Sequence, residues 1–225
     1  ESEWWALKKI YEKGLLYKGF KIVPYCPRCG TPLSSHEVAQ GYKNVKERSA
    51  VVRFKVVGED AYFLAWTTTP WTLPSNVALC VNPEETYCKV KAADGYTYYM
   101  AKALLDKPAY EIIEEYKGSE LEYKEYEPLF DFVKPVCEKQ NKKGHYITCD
   151  TYVTMTDGTG IVHIAPVFGE DDAKVGRRYD LPFVQFVDGK GNLTEETPYG
   201  GIFVKKADPL VLKDLDEKGL LFDAP

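Results

Sequence analysis

The feature that most constrains the fold is a series of short segments of strand character, separated by turn residues, that starts near residue 50. Residues 51–56 and 61–66 flank Gly58-Glu59-Asp60, a pattern that predicts a β-hairpin. Asp94-Gly95 is a strong turn signal between two further segments, 87–91 and 96–100. Many short antiparallel strands joined by such turns are typical of a β-barrel or a β-sandwich. The remaining segments of predicted strand are 20–23, 77–81, 145–155, 159–165, 183–187 and 202–204.

Helix signals occur at both ends of the chain and in its second half. Residues 3–13 follow Ser2, a residue type favoured at the N-cap, and stop before Gly14. The predicted helices are 3–13, 109–116, 170–179 and 208–217. The sequence therefore predicts a mainly β fold with peripheral helices (α+β). We expect an entry helix and a connector at 1–45, followed by a β-barrel domain with peripheral helices at 46–225.

Composition excludes several classes of protein. Apolar residues make up 44% of 225, enough for a sizeable core, so a disordered chain is excluded. The net charge is −5, whereas domains that bind long nucleic acids through phosphates are usually basic, so any nucleic-acid contact must be local. No apolar run reaches the ~18 residues of a membrane helix, and no signal peptide is visible. Six cysteines favour a reducing, cytoplasmic compartment, and the start at Glu1 suggests a fragment or a processed chain.

The first candidate site segment is WTTTPWTLPSN at residues 66–76. Its hydroxyl groups and the Asn76 amide follow a predicted buried strand, and Pro70 removes a ladder donor, so the sheet must end there. A strand end rich in hydroxyls can line the mouth of a polar cavity. Threonine is also a good strand residue, and Asn and Pro favour turns, so a purely structural role stays open.

The second candidate segment is GTGIVHIAPVFGEDD at residues 158–172. His163 would share a strand face with small and apolar neighbours, which also suits a hydrogen-bonded core histidine. Asp171 and Asp172 fall in the first turn of a predicted helix, where acids stabilise the helix end. Neighbours on a helix point about 100° apart, so the two acids cannot both cap, and one is free to face a cavity.

Cys26 and Cys29 form a CxxC turn, which is half of a tetrahedral zinc site. No second tight pair completes it, because the other four cysteines lie eight and twelve residues apart and His36 is alone. We therefore expect no metal site formed by this chain alone, and no redox role, since no βαβ unit surrounds the pair. Phosphate-binding loops of the GxxxxGK[ST] and GxGxxG types and a serine nucleophile elbow are also lacking, so the chain is not expected to activate a substrate with ATP.

Together, WTTTPWTLPSN and GTGIVHIAPVFGEDD resemble the editing domain of isoleucyl-tRNA synthetases, and PYCPRCGTPLSSHE at 24–37 is similar to the entry of the same inserted domain. The resemblance covers most of the chain. The valyl and leucyl relatives carry Arg after the paired threonines, whereas this sequence has Thr69, which favours the isoleucyl branch. The resemblance implies a β-barrel-like aminoacyl-tRNA deacylase. Its activity would be post-transfer editing, the hydrolysis of valine wrongly esterified to isoleucine tRNA, which preserves translational fidelity.

The resemblance also implies catalytic roles. Asp172 would bind the substrate ammonium, and Asp171 would cap the helix. His163 would lie against the aliphatic side chain and set the cavity size. Thr67, Thr68 and Thr69 would line the cavity and bind the ester, the terminal ribose or the attacking water. The nucleophile is expected to be water, oriented by a threonine hydroxyl, by His163 or by the free ribose hydroxyl.

The implied partner is the 3′ acceptor end of isoleucine tRNA carrying a valyl ester, with Trp71 and Asn76 holding the terminal adenosine. ATP and Mg²⁺ would act in a separate domain of the parent enzyme, and zinc could bind Cys26 and Cys29 together with a CxxC outside this chain. We expect a monomer with no membrane contact. Two alternatives stay open: a valyl-type editing domain that clears threonine, and a non-catalytic module that grips a tRNA end.

Overall fold

The computed structural model describes residues 1–19 and 21–224. The helices are α1 (Ser2–Glu12), α2 (Ser35–Gln40), α3 (Lys134–Gln140), α4 (Glu170–Arg178) and α5 (Val204–Glu217). The strands are β1 (Tyr25–Cys26), β2 (Thr31–Pro32), β3 (Ala50–Lys55), β4 (Tyr62–Thr67), β5 (Ala78–Val81), β6 (Thr86–Ala92), β7 (Thr97–Ala101), β8 (Tyr110–Lys117), β9 (Ile147–Cys149), β10 (Ile161–Ile164) and β11 (Leu221–Asp223). Short 3₁₀ helices lie at Pro70–Ser75, Lys102–Leu104, Lys107–Ala109, Gly118–Leu121 and Asp131–Val133.

A mixed sheet of nine strands forms the body of the described structure, in the order β8-β6-β7-β4-β10-β5-β9, with β3 on β4 and β11 on β3. β3 and β4 are antiparallel over their whole length. The opposite side of β4 meets two strands in turn, β7 at Tyr62 and Phe63 and β10 at Trp66, both parallel to it. Because two strands share that side of β4, the sheet branches and curls into an open, half-barrel shape.

Buried side chains form a main cluster and a smaller second cluster around Tyr98, and both are rich in large apolar residues. The bulkiest fully buried aromatic side chains are Phe54, Phe63, Tyr87, Tyr98, Tyr99, Tyr126 and Phe186. One close backbone approach requires glycine: Gly160 has φ +73°, and a Cβ there would lie 2.3 Å from Ala101 Cβ. The chain can therefore enter β10 close against the end of β7.

The predicted fold class, mainly β with peripheral helices, is confirmed. The hairpin predicted from residues 51–66 is β3–β4, and the Asp94-Gly95 turn joins β6 to β7, with Gly95 at φ +87°. The helix predicted at 170–179 is α4, and the helix predicted at 3–13 is α1, although Glu1 rather than Ser2 occupies its N-cap.

Several secondary-structure predictions are wrong in whole or in part. Residues 109–116 form strand β8 rather than a helix, because antiparallel pairing with β6 satisfies their backbone groups. Residues 183–187 and 202–204 contribute only isolated bridges, Val187 to Leu193 and Asn192 to Phe203, and α5 begins at Val204, earlier than predicted.

The predicted strand at 20–23 is not formed over Lys21–Val23, and Phe20 lies outside the described residues. The predicted strand at 145–155 is limited to β9.

The segment before residue 50 packs little against the sheet. None of its described residues is buried, and α1 carries Trp4 and Trp5 on its surface with more than half of each exposed. The division between 1–45 and 46–225 stays a prediction. No described helix has the length and apolar character needed to cross a membrane.

Candidate functional site

The two candidate segments meet because β4 and β10 are parallel neighbours. Val162 pairs with Trp66, so the residues that follow β4 and those that follow β10 leave the sheet at the same edge. β5 is antiparallel to β10, with Ala78 opposite Ile164, so the residues just before β5 reach this edge as well. Sheet topology therefore brings the ends of both motifs together, as at the carboxyl edge of parallel sheets.

A cavity of about 310 Å³ opens at this edge. That volume lies at the small end of the ~300–1,000 Å³ range of ligand sites. Six predicted site residues line it: Thr67, Thr68, Thr69, Trp71, His163 and Asp172. The other lining residues are Trp66, Thr72, Val162, Ala165, Phe168 and Gly169. Asn76 is not among them.

Asp172 supplies a carboxylate to this cavity from the first turn of α4. Its Oδ2 accepts a hydrogen bond from Ala165 N–H at 3.0 Å, which holds the side chain against the end of β10. Burial raises the pKa of Asp172 to about 6, and Ala165 N–H opposes that rise. The carboxyl is thus mostly ionised at neutral pH, in a largely apolar setting that strengthens its attraction for a cation.

Asp171 does not cap α4, contrary to prediction. The N-cap is Gly169, with no side-chain cap bond, and the exposed Asp171 pairs with Lys174 at 2.9 Å. A Cβ at Gly169 would lie 2.9 Å from Asp172 Cγ, so the carboxylate rests against the glycine backbone. Gly169 is a site residue that the sequence reasoning missed.

His163 is 7% exposed, and both of its ring nitrogens are hydrogen-bonded to protein. Nε2 lies 2.8 Å from Thr72 Oγ1, and Nδ1 lies 3.2 Å from the Asn76 amide nitrogen. Burial lowers the pKa of His163 to about 4, so the ring is neutral at physiological pH. His163 therefore offers the cavity a neutral wall, with neither nitrogen free to take a proton.

Asn76 lies beneath the cavity, 2% exposed, rather than at its mouth. Its amide nitrogen also donates to Ala78 O at 2.9 Å, and its oxygen accepts from Tyr126 Oη at 2.7 Å. This arrangement differs from the predicted contact with a terminal adenosine, because these bonds leave no amide group turned to the cavity. Tyr126 is 2% exposed and was missed by sequence reasoning, because no motif contains it.

The threonine hydroxyls differ in whether they already have a hydrogen-bond partner within the protein. Thr67 Oγ1 accepts from Thr69 N–H at 3.1 Å, and Thr69 Oγ1 lies 3.2 Å from Thr72 Oγ1. Thr68 is exposed, and its hydroxyl has no hydrogen-bond partner within residues 1–19 and 21–224. Thr68 is the hydroxyl most available to a ligand or a water molecule.

Trp71 forms another wall of the cavity, and a side chain of α5 holds its backbone. Its N–H donates to Asp208 Oδ1 at 2.8 Å, and burial raises the pKa of that carboxyl above its ordinary range. The indole packs edge-on to Phe168 at 5.0 Å between centroids. Trp71 Nε1 is buried and has no hydrogen-bond partner among the described residues. Asp208 and Phe168 were also missed, since their roles depend on tertiary contacts.

Cys26 and Cys29 belong to the hairpin β1–β2 and do not line this cavity. Cys29 N–H donates to Cys26 Sγ at 3.4 Å, and this bond is the first cause of a lowered pKa at Cys26. In the described part of the chain, no group of three or more His, Cys, Asp or Glu side chains is placed to hold a metal ion. Cys26 and Cys29 can therefore supply two of the four ligands that a zinc ion requires.

Two comparisons of the sequence with known proteins give the same family. The model of the class I tRNA synthetases (I, L, M and V) matches residues 1–188. The isoleucine–tRNA ligases of Clostridium acetobutylicum and Picrophilus torridus are 55% and 47% identical over 226 and 227 residues, which are 99% and 100% of this chain. The chain spans about a fifth of the length of these relatives, 21% and 22%.

The structural neighbours share the fold at low sequence identity. The editing domain of P. falciparum cytosolic leucyl-tRNA synthetase is 14% identical with a TM-score of 0.61, covering 79% of this chain and 99% of that one. The P. knowlesi counterpart is 16% identical with a TM-score of 0.60, covering 81% and 98%. The curled β fold is thus that of synthetase editing domains, and the chain belongs to the class I tRNA synthetases of the I, L, M and V group.

Proposed function

We propose that this chain is the post-transfer editing domain of an isoleucyl-tRNA synthetase and hydrolyses the ester of valine mischarged to tRNA(Ile). The observation that carries the proposal is the ionised Asp172 carboxylate in a small cavity lined by threonine hydroxyls and by neutral His163. Identity of about 50% with isoleucine–tRNA ligases over the whole chain supports the isoleucyl branch.

Asp172 binds the ammonium group of the aminoacyl ester. Among the described lining residues it is the one that carries a charge at neutral pH, and one of its oxygens is already fixed by Ala165 N–H. A substrate amine therefore has a single defined point of attachment, which places the ester carbonyl toward Thr67, Thr68 and Thr69. Loss of a buried charge contact of this kind costs about 2–5 kcal/mol.

His163 sets which side chain fits. The site that charges the tRNA gains only about 1–3 kcal/mol from one methylene, and isoleucine against valine is the standard example of this range. Because that difference is small, a second site that corrects errors is needed. The editing cavity selects in the opposite direction, by excluding the larger side chain. Placing an extra methylene against a well-packed wall costs a further ~1–3 kcal/mol.

The nucleophile is water, and Thr68 is the best-placed group to orient it. Both nitrogens of His163 are occupied by Thr72 and Asn76, which removes it from the groups able to accept a proton from water. The exposed Thr68 hydroxyl and the free ribose hydroxyl of the substrate are then the available orienting groups.

The terminal nucleoside occupies the space beside the first cavity. A neighbouring cavity of about 240 Å³ shares Trp66 and Val162 with it. Two adjoining cavities suit one strand end better than a long phosphate track, in keeping with a net charge of −5. The strand end that occupies these two cavities is the 3′ acceptor end of tRNA(Ile).

The rest of the parent enzyme lies outside this chain. The relatives are named isoleucine–tRNA ligases, so activation with ATP and Mg²⁺ belongs to their other four-fifths. Zinc bound by Cys26 and Cys29 would take its remaining ligands from that part. We place the protein in the cytoplasm, as a monomer.

The test is hydrolysis of tRNA(Ile) charged with valine, threonine or isoleucine by the 225-residue chain, with Asp172→Ala and the exposed Asp171→Ala as a matched pair. The proposal predicts release of valine, little release of isoleucine, and at least about a thirtyfold loss in Asp172→Ala only, the size expected for a buried charge contact. Preferential release of threonine would indicate a valyl-type domain. Binding of the acceptor end without hydrolysis would indicate a non-catalytic module.

A further inference from the structure

Both N–H groups and the oxygen of the Asn76 amide are hydrogen-bonded within the protein. Nδ2 donates to Ala78 O and lies 3.2 Å from His163 Nδ1, while Oδ1 accepts from the Tyr126 hydroxyl. The reversed amide would turn its oxygen toward the Ala78 carbonyl, and two acceptors would then face each other in a buried site. The backbone at Ala78 and the hydroxyl of Tyr126 thus set the direction of the amide.

This direction determines where His163 carries its hydrogen. The Asn76 nitrogen can only donate, so His163 Nδ1 must accept, and the ring hydrogen resides on Nε2. Nε2–H then donates to Thr72 Oγ1 at 2.8 Å, and the Thr72 hydroxyl donates to Thr69 O at 2.7 Å. The opposite tautomer would place two N–H groups against each other and would draw the Thr72 hydroxyl away from Thr69.

We propose that Asn76, held by Tyr126, is a positioning residue that locks His163 in the neutral Nε2–H tautomer. The locked ring turns its carbon atoms, rather than a free nitrogen, to the cavity. A wall of this kind can exclude a side chain by size without acting as a base. The low pKa that burial gives His163 agrees with a ring that stays neutral. The use of the wall in selection rests on the proposed function, whereas the tautomer does not.

The test is nitrogen NMR of the imidazole rings in the ¹⁵N-labelled chain between pH 5 and 8. The sequence has three histidines, and the spectrum of His163→Gln assigns the signal. We expect wild-type His163 to be protonated on Nε2 alone across this range. Asn76→Asp replaces the donating amide with a carboxylate that only accepts, so Nδ1 should become protonated.

Asn82→Asp is the matched control. The Asn82 amide donates to Val153 O at 3.0 Å and does not contact His163, so this variant should keep the wild-type tautomer. Tyr126→Phe is the second variant, which removes only the hydroxyl that holds Asn76 Oδ1. Loss of one neutral hydrogen bond should raise the fraction of the Nδ1–H form about fivefold.

A wild-type ring protonated on Nδ1 would overturn the inference at once, whatever the variants do. So would a folded Asn76→Asp whose Nδ1 stays unprotonated, and if that variant fails to fold, an unchanged tautomer in Tyr126→Phe would do the same. Deacylation measured on the same wild-type sample separates the two proposals. Absent hydrolysis with the Nε2–H tautomer contradicts the editing function alone, and hydrolysis with the other tautomer contradicts the positioning role alone.

Discussion

Asp172→Asn should make the chain more stable near neutral pH while removing most of its hydrolytic activity. Burial raises the pKa of Asp172 to about 6 from an ordinary value of 3.8. Between these values the folded chain holds a proton that the unfolded chain has lost, so the free energy of unfolding falls as the pH rises from about 3.8 to about 6. Well above pH 6 neither state holds this proton, and the free energy of unfolding falls no further.

The magnitude follows from the size of that pKa change. At about 1.4 kcal/mol per pH unit, ionised Asp172 costs about 3 kcal/mol of stability at pH 7. Asparagine is nearly isosteric, keeps an oxygen for Ala165 N–H and carries no charge. We therefore expect Asp172→Asn to raise the free energy of unfolding by about 2–3 kcal/mol at pH 7.5 and to match the wild type near pH 4.

The assay is urea unfolding of both proteins at a series of pH values from 4 to 8. The matched control is Asp171→Asn, which changes an exposed acid paired with Lys174 and should alter stability by no more than about 0.5 kcal/mol at any pH. A variant at Asp172 that is less stable than the wild type at pH 7.5, or a difference that does not shrink toward pH 4, would refute the reasoning.

Three further outcomes follow from the same geometry. His163→Ala should open the wall of the cavity and raise hydrolysis of the correctly charged isoleucyl ester by roughly 10–200-fold relative to the valyl ester, measured with both esters at one temperature. Gly169→Ala should push the Asp172 carboxylate from its position and lower deacylation by at least about tenfold, with little change in melting temperature because φ −132° and ψ 142° suit alanine. Elemental analysis of the purified chain should find less than one zinc per molecule, since Cys26 and Cys29 supply only two ligands.

Each of these has an outcome that contradicts it. An unchanged valine-to-isoleucine ratio in His163→Ala, with only a lower melting temperature, would make His163 a packing residue. Equal activity in Gly169→Ala and in the exposed control Gly41→Ala would show that the carboxylate does not need the glycine. One tightly held zinc per chain would mean that His36 or a distant cysteine completes the metal site.

The local sequence was sufficient to predict the elements in which apolar and polar side chains alternate, and those whose ends carry strong turn or capping signals. The hairpin β3–β4 could be predicted because its turn and its period of two agree, and α4 because its first turn is acidic and its last is basic. β8 could not, since its three glutamates are good helix formers and most of its side chains are exposed. Pairing of its backbone with β6 decides its conformation, and that pairing is a long-range contact.

In the candidate site too, local sequence predicted some residues, and long-range contacts place the others. Residues within the two motifs reach one cavity because parallel pairing of β4 with β10 aligns their ends, and motif content predicted that set. Asn76 was assigned to the ligand, whereas the register of β5 against β10 places it under His163. Tyr126 and Asp208 come from distant parts of the chain, so nothing in the local sequence marks them as neighbours of the motifs.

The most direct test of the central claim is the pH dependence of kcat/KM for hydrolysis of valyl-tRNA(Ile), corrected for the uncatalysed rate. If ionised Asp172 binds the protonated amine, kcat/KM rises as the pH passes about 6 and falls again where the substrate amine loses its proton. In Asp172→Asn the acid limb disappears together with most of the activity. An acid limb that persists in Asp172→Asn, or wild-type activity that stays constant from pH 5 to 7, would contradict the account.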